Sequence, residues 1–430
     1  MITNSQPISI FWFRRDLRIE DNVGLTEALN SDLPTLPLFI FDKNILDELD
    51  EEDARLTFIH QLLQELNNSL EVHGSGLQTF HGTPSEVFTE ILQQFDVKKV
   101  YVNRDYEPYA LQRDKEIETL LAAHDIELLS FKDQVIIEKD EVVKSDGSPY
   151  TVFTPFKKRW LQQVDIESIQ PQEIPSHPNW FKTPPSLHSL HSMGFKKSEI
   201  RVRPYALEKL EEYEETRNIP SLDQTSYLSP HLRFGSIGIR SLFAQVKSHP
   251  VFVSELIWRE FFMQILYHFP EVVEHNFKRK YDGIDWENNS EDFEKWCNGT
   301  TGYPMVDAGM RQLNKTGYMH NRVRMVTASF LCKHLLIDWR WGEAYFASKL
   351  LDYELSSNNG NWQWAAGTGC DAAPYFRIFN PIEQLKRFDP QMTYVRKWIP
   401  ELRSKTYPEP MIDHKFARNR ALERYKRGIN

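Results

Sequence analysis

Five short apolar runs in the first 131 residues constrain the fold of this chain more than any other feature. "ISIFWF" (8–13), "LPLFIF" (36–41), "LQTF" (77–80), "KKVYVN" (98–103) and "IELLSF" (126–131) have the length and composition of largely buried strands. Helical patterns near 53–72, 84–95 and 108–123 separate them. A parallel strand pair needs a crossover, and the crossover helices must cover the sheet. The alternation therefore predicts a doubly wound, Rossmann-like parallel α/β sheet. The first strand runs into Arg14-Arg15-Asp16 rather than a glycine-rich loop, so the dinucleotide fingerprint is absent.

Residues 132–204 break the alternation. "PSHPNWFKTPPSLHSLHSMG" is rich in Pro, Ser and His and reads as a connecting segment draped over the surface. From Tyr205 onward the periodicity is helical, with Pro and Gly at the breaks. The expected organisation is an α/β domain over 1–131, an interdomain linker over 132–204 and a larger all-helical domain over 205–430. Cys297, Cys332 and Cys370 lack paired or metal-ligand spacing, which predicts reduced thiols and no metal site. The opening "MITNSQPISIFWFRRDLR" has no basic leader before an apolar run, and no stretch reaches the ~20 apolar residues of a membrane span. The expectation is a soluble, cytoplasmic protein.

A net charge of −10 argues against a nucleic-acid partner, but its distribution reverses the argument. From Arg311 to the end there are 20 Lys and Arg against 11 Asp and Glu, a net of +9. The preceding 310 residues hold 31 against 50, a net of −19. A basic face on an acidic chain is what phosphate contact requires, although a solvated asymmetry has the same composition. No Ser/His/Asp order, HExxH or P-loop is present, so hydrolysis and phosphoryl transfer lack their groups.

The helical half mixes aromatics with polar residues. On a helix through "VSELIWREFF" (253–262), Glu255, Trp258, Arg259 and Phe262 share one face. Buried charges must be paired, so this face is either a Glu–Arg pair beside a packed indole or the wall of a polar cavity. In "GYPMVDAGMRQLNKTGYMHNRVRMVTASFL" (302–331), Pro304 opens one helix and Thr316-Gly317 interrupts the pattern before another. On the second, Asn321, Met325 and Ala328 align, while Arg322 and Arg324 point elsewhere. "TSYLSPHLRFG" (225–235) sets Thr225, Ser226 and Ser229 ahead of a helix, as caps or as a diphosphate cradle. "NNGNWQWAAGTGCDAAPYFRIFNP" (358–381) has neither the apolar stripe of a helix nor the alternation of a strand. Its Gly and Asn predict an irregular path for Trp362 and Trp364. Aromatics, amides and one carboxylate are equipment for a flat cofactor and a stacked base.

"FWFRRDLRIEDN", "ELIWREFF", "TGYPMVDAGMRQLNKTGYMHNRVRMVTASFL", "DWRWGEAYFASKLLDYEL" and "NNGNWQWAAGTGCDAAPYFRIFNP" together resemble the photolyase/cryptochrome family, from about Ile8 to Arg427. The closest resemblance is to class I photolyases that repair cyclobutane pyrimidine dimers. It implies an α/β antenna domain and a helical domain that holds FAD. It also implies that Trp258 and Trp364 flank a flipped-out dimer, with Glu255, Asn321 and Met325 beside it. The flavin contacts would be Tyr213, Thr225, Ser226, Tyr227, Leu228, Ser229, Arg259, Arg324, Asp352, Glu354 and Asn358. Glu354 stands where the family usually has Asp. A relay that reduces the flavin photochemically would run through Trp362, Trp339 and Trp286. DNA-backbone contacts would be Arg217, Arg322, Arg377, Gln384 and Arg387.

By the same resemblance, a second antenna chromophore of folate or deazaflavin type would sit in the α/β domain, with Glu107 as a contact. No Cys-Lys pair matching the folate-binding photolyases occurs around "EVVEHNFKRK". The implied function is light-driven repair of UV-damaged DNA by a monomer, through an electron lent to the dimer by excited, reduced FAD. The alternatives within the resemblance are a cryptochrome-type blue-light photoreceptor and a six-four photolyase. Trp364 and Asn358 stand where plant cryptochromes have Tyr and Asp, and the six-four enzymes carry a different histidine pattern around "MHNRVRM". The chain also stops at Asn430 without the long tail of many signalling members.

Overall fold

The computed structural model describes residues 4–429. They form two compact units whose stretches interleave along the chain. The first comprises residues up to Glu141, Trp160–Arg203 and Leu228–Ser248; the second comprises Val142–Arg159, Pro204–Tyr227 and the residues from His249 on.

The first unit is built on a five-stranded, all-parallel sheet of order β3-β2-β1-β4-β5. Its strands are β1 (Asn4–Phe13), β2 (Thr35–Asp42), β3 (Gln78–Gly82), β4 (Phe95–Asn103) and β5 (Glu127–Phe131). Each of the five apolar runs became a strand. Alternate residues feed two cores. Ile10, Trp12, Leu38, Ile40 and Val100 pack with Phe88, Ile91, Ile117 and Leu121 of the helices Pro84–Gln94 and Pro108–Ala122. Phe11, Phe13, Phe39, Phe41 and Tyr101 pack with Leu25, Leu29, Leu62 and Leu66 of Val23–Leu29 and Ala54–Glu71. Burial on both faces explains why β2 is apolar from Leu36 to Phe41 instead of alternating. The strand order reverses between β1 and β4, so Arg14, Arg15 and Asp16 meet Asn103 to Glu107 at the switch point.

Residues 160–203, which the sequence suggests are part of a draped linker, are folded onto this unit. Single parallel bridges join Thr35 to Trp180 and Gln78 to Ser186, and Trp180 and Phe181 are buried. The stretch 228–248, expected in the helical domain, also belongs here. Trp160 stacks on Phe243 with centroids 5.6 Å apart, and Arg240 reaches Asp133 at 2.5 Å and Asp21 at 2.6 Å. A few large anchors set among prolines and serines leave no periodic trace, so sequence pattern alone divides the chain into consecutive blocks.

The second unit is helical, with Pro250–His268, Ser290–Cys297, Pro304–Thr316, Asn321–Ser329, Trp339–Lys349, Leu355–Ala366, Pro381–Phe388, Thr393–Trp398 and His414–Ile429. Proline opens three of these, where its missing N–H costs nothing. Its core gathers Trp296, Met305, Met310, Leu313, Val323, Phe330, Leu331, Phe346 and Trp362. Among the described residues, no helix is long and apolar enough to cross a membrane and no cluster could hold a metal ion.

The irregular path expected for Trp362 and Trp364 is corrected by the structure: Leu355–Ala366 is a regular helix. No apolar stripe marks it because it is buried on several sides at once. Its buried amides are satisfied individually. Asn359 and Gln363 both donate to Val272 O at 3.0 Å, and Gln363 Oε1 accepts from Phe277 N at 2.8 Å. Gly360 is required by close approach, since a Cβ there would lie 2.1 Å from the Phe262 ring.

Candidate cofactor and nucleic-acid site

In a helix, two residues two positions apart point roughly 200° away from each other. Trp362 and Trp364 therefore face opposite sides of Leu355–Ala366. Trp362 is buried at 2% exposure, while Trp364 stays partly exposed. Trp362 lies against Gly342 of Trp339–Lys349, where a Cβ would sit 2.2 Å from the indole, and meets Phe346 edge-on at 4.9 Å. Phe262 of Pro250–His268 meets Gly360, and Trp258 and Trp364 each lie one turn from that contact on their own helices.

Pro250–His268 carries the expected polar face. Glu255 Oε1 is 2.7 Å from Arg217 Nη1, both side chains partly exposed, and the Arg217 guanidinium lies over Tyr213 at 5.3 Å. Burial, reinforced by the Glu255 charge, pushes the Tyr213 phenol upward, so it stays protonated. Arg259 Nη2 reaches Glu354 Oε1 at 3.2 Å in a nearly buried pair. The longer Glu at this position thus spans to an arginine of the facing helix. Trp258 is partly exposed and stacked on Phe153.

His320 caps Asn321–Ser329 by accepting from Arg322 N at 3.2 Å. Burial and the neighbouring Arg324 and Arg322 lower its imidazole to about 4, so the cap is neutral. Asn321 is exposed and Met325 partly so. Arg324 makes a two-pronged pair with Asp352 at 3.2 and 2.9 Å. Arg322 donates to Asn218 Oδ1 at 2.6 Å and lies 4.4 Å over Phe388. Burial lowers its guanidinium, and Arg217 and Arg387 lower it further. Arg387 lies 5.1 Å over the same Phe388 ring, and this group of like charges, with Arg217 paired to Glu255, suits an incoming anion. Gln384 Oε1 is buried without a hydrogen-bond partner. Arg377 is exposed on the stretch that follows Leu355–Ala366.

Asn358 donates from Nδ2 to Glu343 Oε1 at 2.8 Å and to Glu343 O at 3.1 Å, which turns its amide oxygen the other way as an acceptor. Burial pushes the Glu343 carboxyl up. Ser356 Oγ is buried without a hydrogen-bond partner. The Asn358 amide oxygen, the Ser356 hydroxyl and two paired guanidiniums are donors and acceptors of the kind that a flavin ring and a diphosphate need. The run 225–229 is divided. Thr225 accepts from Tyr318 OH at 3.4 Å, Ser226 is buried, and Tyr227 holds the left-handed φ of 53° in the second unit, whereas Leu228 and Ser229 open a stretch of the first.

The other expected residues have separate neighbours. Trp339 is buried and donates to Asn276 Oδ1 at 2.8 Å, and Trp286 meets Tyr425 edge-on at 5.8 Å. In the first unit, Glu107 Oε1 is shared by Arg15 at 3.1 Å and Arg233 at 3.0 Å. Sequence reasoning missed Phe153, Asn218 and Glu343. Phe153 lies 105 residues before Trp258, in a segment read as linker, and only the neighbouring aromatics of "YTVFTPF" hint at it.

A family profile described as DNA photolyase matches residues 9–178, and one described as the FAD binding domain of DNA photolyase matches residues 252–406. A deoxyribodipyrimidine photo-lyase of Synechococcus is 35% identical, the alignment covering 94% of this chain and 93% of that protein. The chain belongs to the DNA photolyase family. Among solved structures, a class III photolyase from Agrobacterium tumefaciens superposes with a TM-score of 0.89 at 35% identity, covering 98% of each chain. An archaeal photolyase from Sulfolobus tokodaii, solved with two FAD molecules, gives 0.84 at 35% identity over 97% of this chain and 99% of that one. A Synechocystis cryptochrome gives 0.85 at a lower identity of 27%, with the same coverage.

Proposed function

We propose that this chain is a light-driven lyase that binds FAD and splits cyclobutane pyrimidine dimers in UV-damaged DNA. The observation that carries the reading is the half-exposed surface of Glu255, Trp258, Asn321, Met325 and Trp364 beside crowded Arg217, Arg322 and Arg387.

Arg217, Arg322, Arg377, Gln384 and Arg387 hold the DNA backbone, which supplies affinity without reading sequence. The dimer leaves the duplex for the site. Flipping costs a few kcal/mol, least for a damaged pair, and photolyases are among the general examples of such enzymes. Stacking on Trp258 and Trp364, worth roughly 1–3 kcal/mol per base, offsets that cost. Glu255, 2.7 Å from Arg217, hydrogen-bonds the polar edge of the lesion. The guanidinium beside it balances negative charge that develops on the lesion.

Tyr213, Thr225, Ser226, Tyr227, Arg259, Arg324, Asp352, Glu354 and Asn358 hold the cofactor. When bound, reduced and excited by light, FAD supplies an electron that opens the cyclobutane and returns, with no net redox change. Trp362, Trp339 and Trp286 carry electrons inward to reduce an oxidised cofactor. The first unit serves as the antenna domain and the second as the catalytic domain. Glu107 is then a contact for a second chromophore of folate or deazaflavin type, in competition with Arg15 and Arg233. The protein acts as a cytoplasmic monomer.

The test is to illuminate the reduced protein with DNA carrying either a thymine dimer or a six-four lesion and follow the restored base absorbance. Turnover of the thymine dimer alone is expected. Turnover of the six-four lesion alone supports that second specificity, and binding without turnover supports a photoreceptor. Extraction and mass spectrometry identify the antenna.

A further inference from the structure

Trp258 is not held by its own helix alone. Phe153 lies against it with centroids 3.6 Å apart and ring planes 9° from parallel. Two aromatic rings left to themselves prefer an offset or edge-on arrangement. A near-eclipsed sandwich persists only where both partners are fixed, and Phe153 is fixed on several sides. It is 7% exposed, meets Phe261 edge-on at 5.8 Å, and its N–H donates to Asp371 Oδ2 at 3.0 Å. Phe156, on the next turn, is fully buried and packs on Phe261 at 5.3 Å. Phe261 in turn meets Trp258 edge-on at 5.5 Å.

Phe153 begins the helix Phe153–Gln163, and Asp371, seven residues beyond Trp364, accepts the N–H of its first residue. A carboxylate at a helix N-terminus is the favourable charge there. One hydrogen bond therefore ties the segment behind Trp364 to the ring that sets the plane of Trp258.

We infer that Phe153 is a positioning residue for lesion recognition, fixing the plane of the Trp258 indole before DNA arrives. The inference rests on Trp258 stacking on the dimer. An indole already immobilised loses no further rotamer freedom when the lesion stacks on it, so preorganisation appears as affinity. Undamaged duplex, which does not enter the site, gains nothing from it.

The experiment is dark binding of flavin-loaded, full-length protein to oligonucleotides with and without one thymine dimer, for wild type, Phe153→Leu, Phe153→Tyr and Trp258→Ala. Phe153→Leu is expected to weaken dimer binding roughly two- to tenfold and leave undamaged binding unchanged. Under light it should raise KM and spare kcat. Phe153→Tyr should restore wild-type discrimination, and Phe153→Leu should add nothing in a Trp258→Ala background. Dimer affinity equal to wild type would overturn the inference, and tighter binding would overturn it by showing that Phe153 occupies the lesion's place. Should Phe153→Leu fail to retain flavin, Asp371→Ala decides in its stead: a smaller loss of dimer affinity supports the inference and none refutes it. Wild type that fails to prefer dimer DNA, with Trp258→Ala equally indifferent, sinks the functional reading instead.

Discussion

The α/β unit and one surface of the helical unit treat charge in opposite ways. In the α/β unit, charges close on one another. Asp133 takes Arg18 and Arg240, both at 2.5 Å; Asp21 takes Arg240; and Glu107 takes Arg15 and Arg233. Burial pushes the Asp133 carboxyl up, but the two guanidiniums more than reverse it. In the helical unit, Arg217, Arg322 and Arg387 crowd one another at a partly exposed surface. Saturated charge holds a fold together, and unsaturated charge of one sign awaits a ligand.

Substitutions in the two units should separate these roles. The largest effect is expected for Asp133→Ala, which removes the carboxylate from Arg18 and leaves Arg240 with Asp21: about 3–5 kcal/mol of stability should be lost in chemical denaturation. A loss below ~1 kcal/mol would mean that this network is not structural. Gly360→Ala drives a methyl into Phe262 and should cost roughly 1–3 kcal/mol. It should also lower flavin content, read from absorbance per folded protein. Arg322→Ala, by contrast, should barely alter stability while weakening damaged and undamaged DNA alike. The slope of log affinity against log salt should fall by about 1. An unchanged slope would remove Arg322 from the backbone contacts.

The last effect shows only in mild acid, as a pH dependence. His320 titrates near 4 in the folded chain against 6.5 unfolded, so the unfolded chain takes up its proton first. The stability contributed by the neutral cap is fully present above about pH 6.5 and is lost as pH falls toward 4. Denaturation midpoints in that window should flatten in His320→Asn, which keeps an N-capping acceptor.

The α/β unit was legible because β1 to β5 are short apolar runs of strand length, and helix-period segments follow β2, β3 and β4. The break at Thr316-Gly317 was legible for an equally local reason: Gly317 adopts φ 65° and closes the helix on Leu313 O. What escaped was decided at long range. Leu355–Ala366 is helical despite its Asn and Gly, because Val272 O and Phe277 N satisfy its amides and Phe262 demands Gly360. Trp180 and Phe153 drew their places from partners far along the chain, so their segments passed for linker. At the site, the face of Glu255, Trp258 and Arg259 followed from spacing. The pairing of Glu255 with Arg217, and of Asn358 with Glu343, did not.

The helix through both tryptophans gives the account its sharpest test. Trp364 should serve the lesion and Trp362 the cofactor. The measurement is light-driven dimer splitting by chemically reduced wild type, Trp362→Phe and Trp364→Ala at subsaturating DNA. Near wild-type rates for Trp362→Phe, with slowed photoreduction when it starts oxidised, and a roughly 5- to 100-fold loss for Trp364→Ala are predicted. Full activity in Trp364→Ala, or abolished repair in reduced Trp362→Phe, would contradict it.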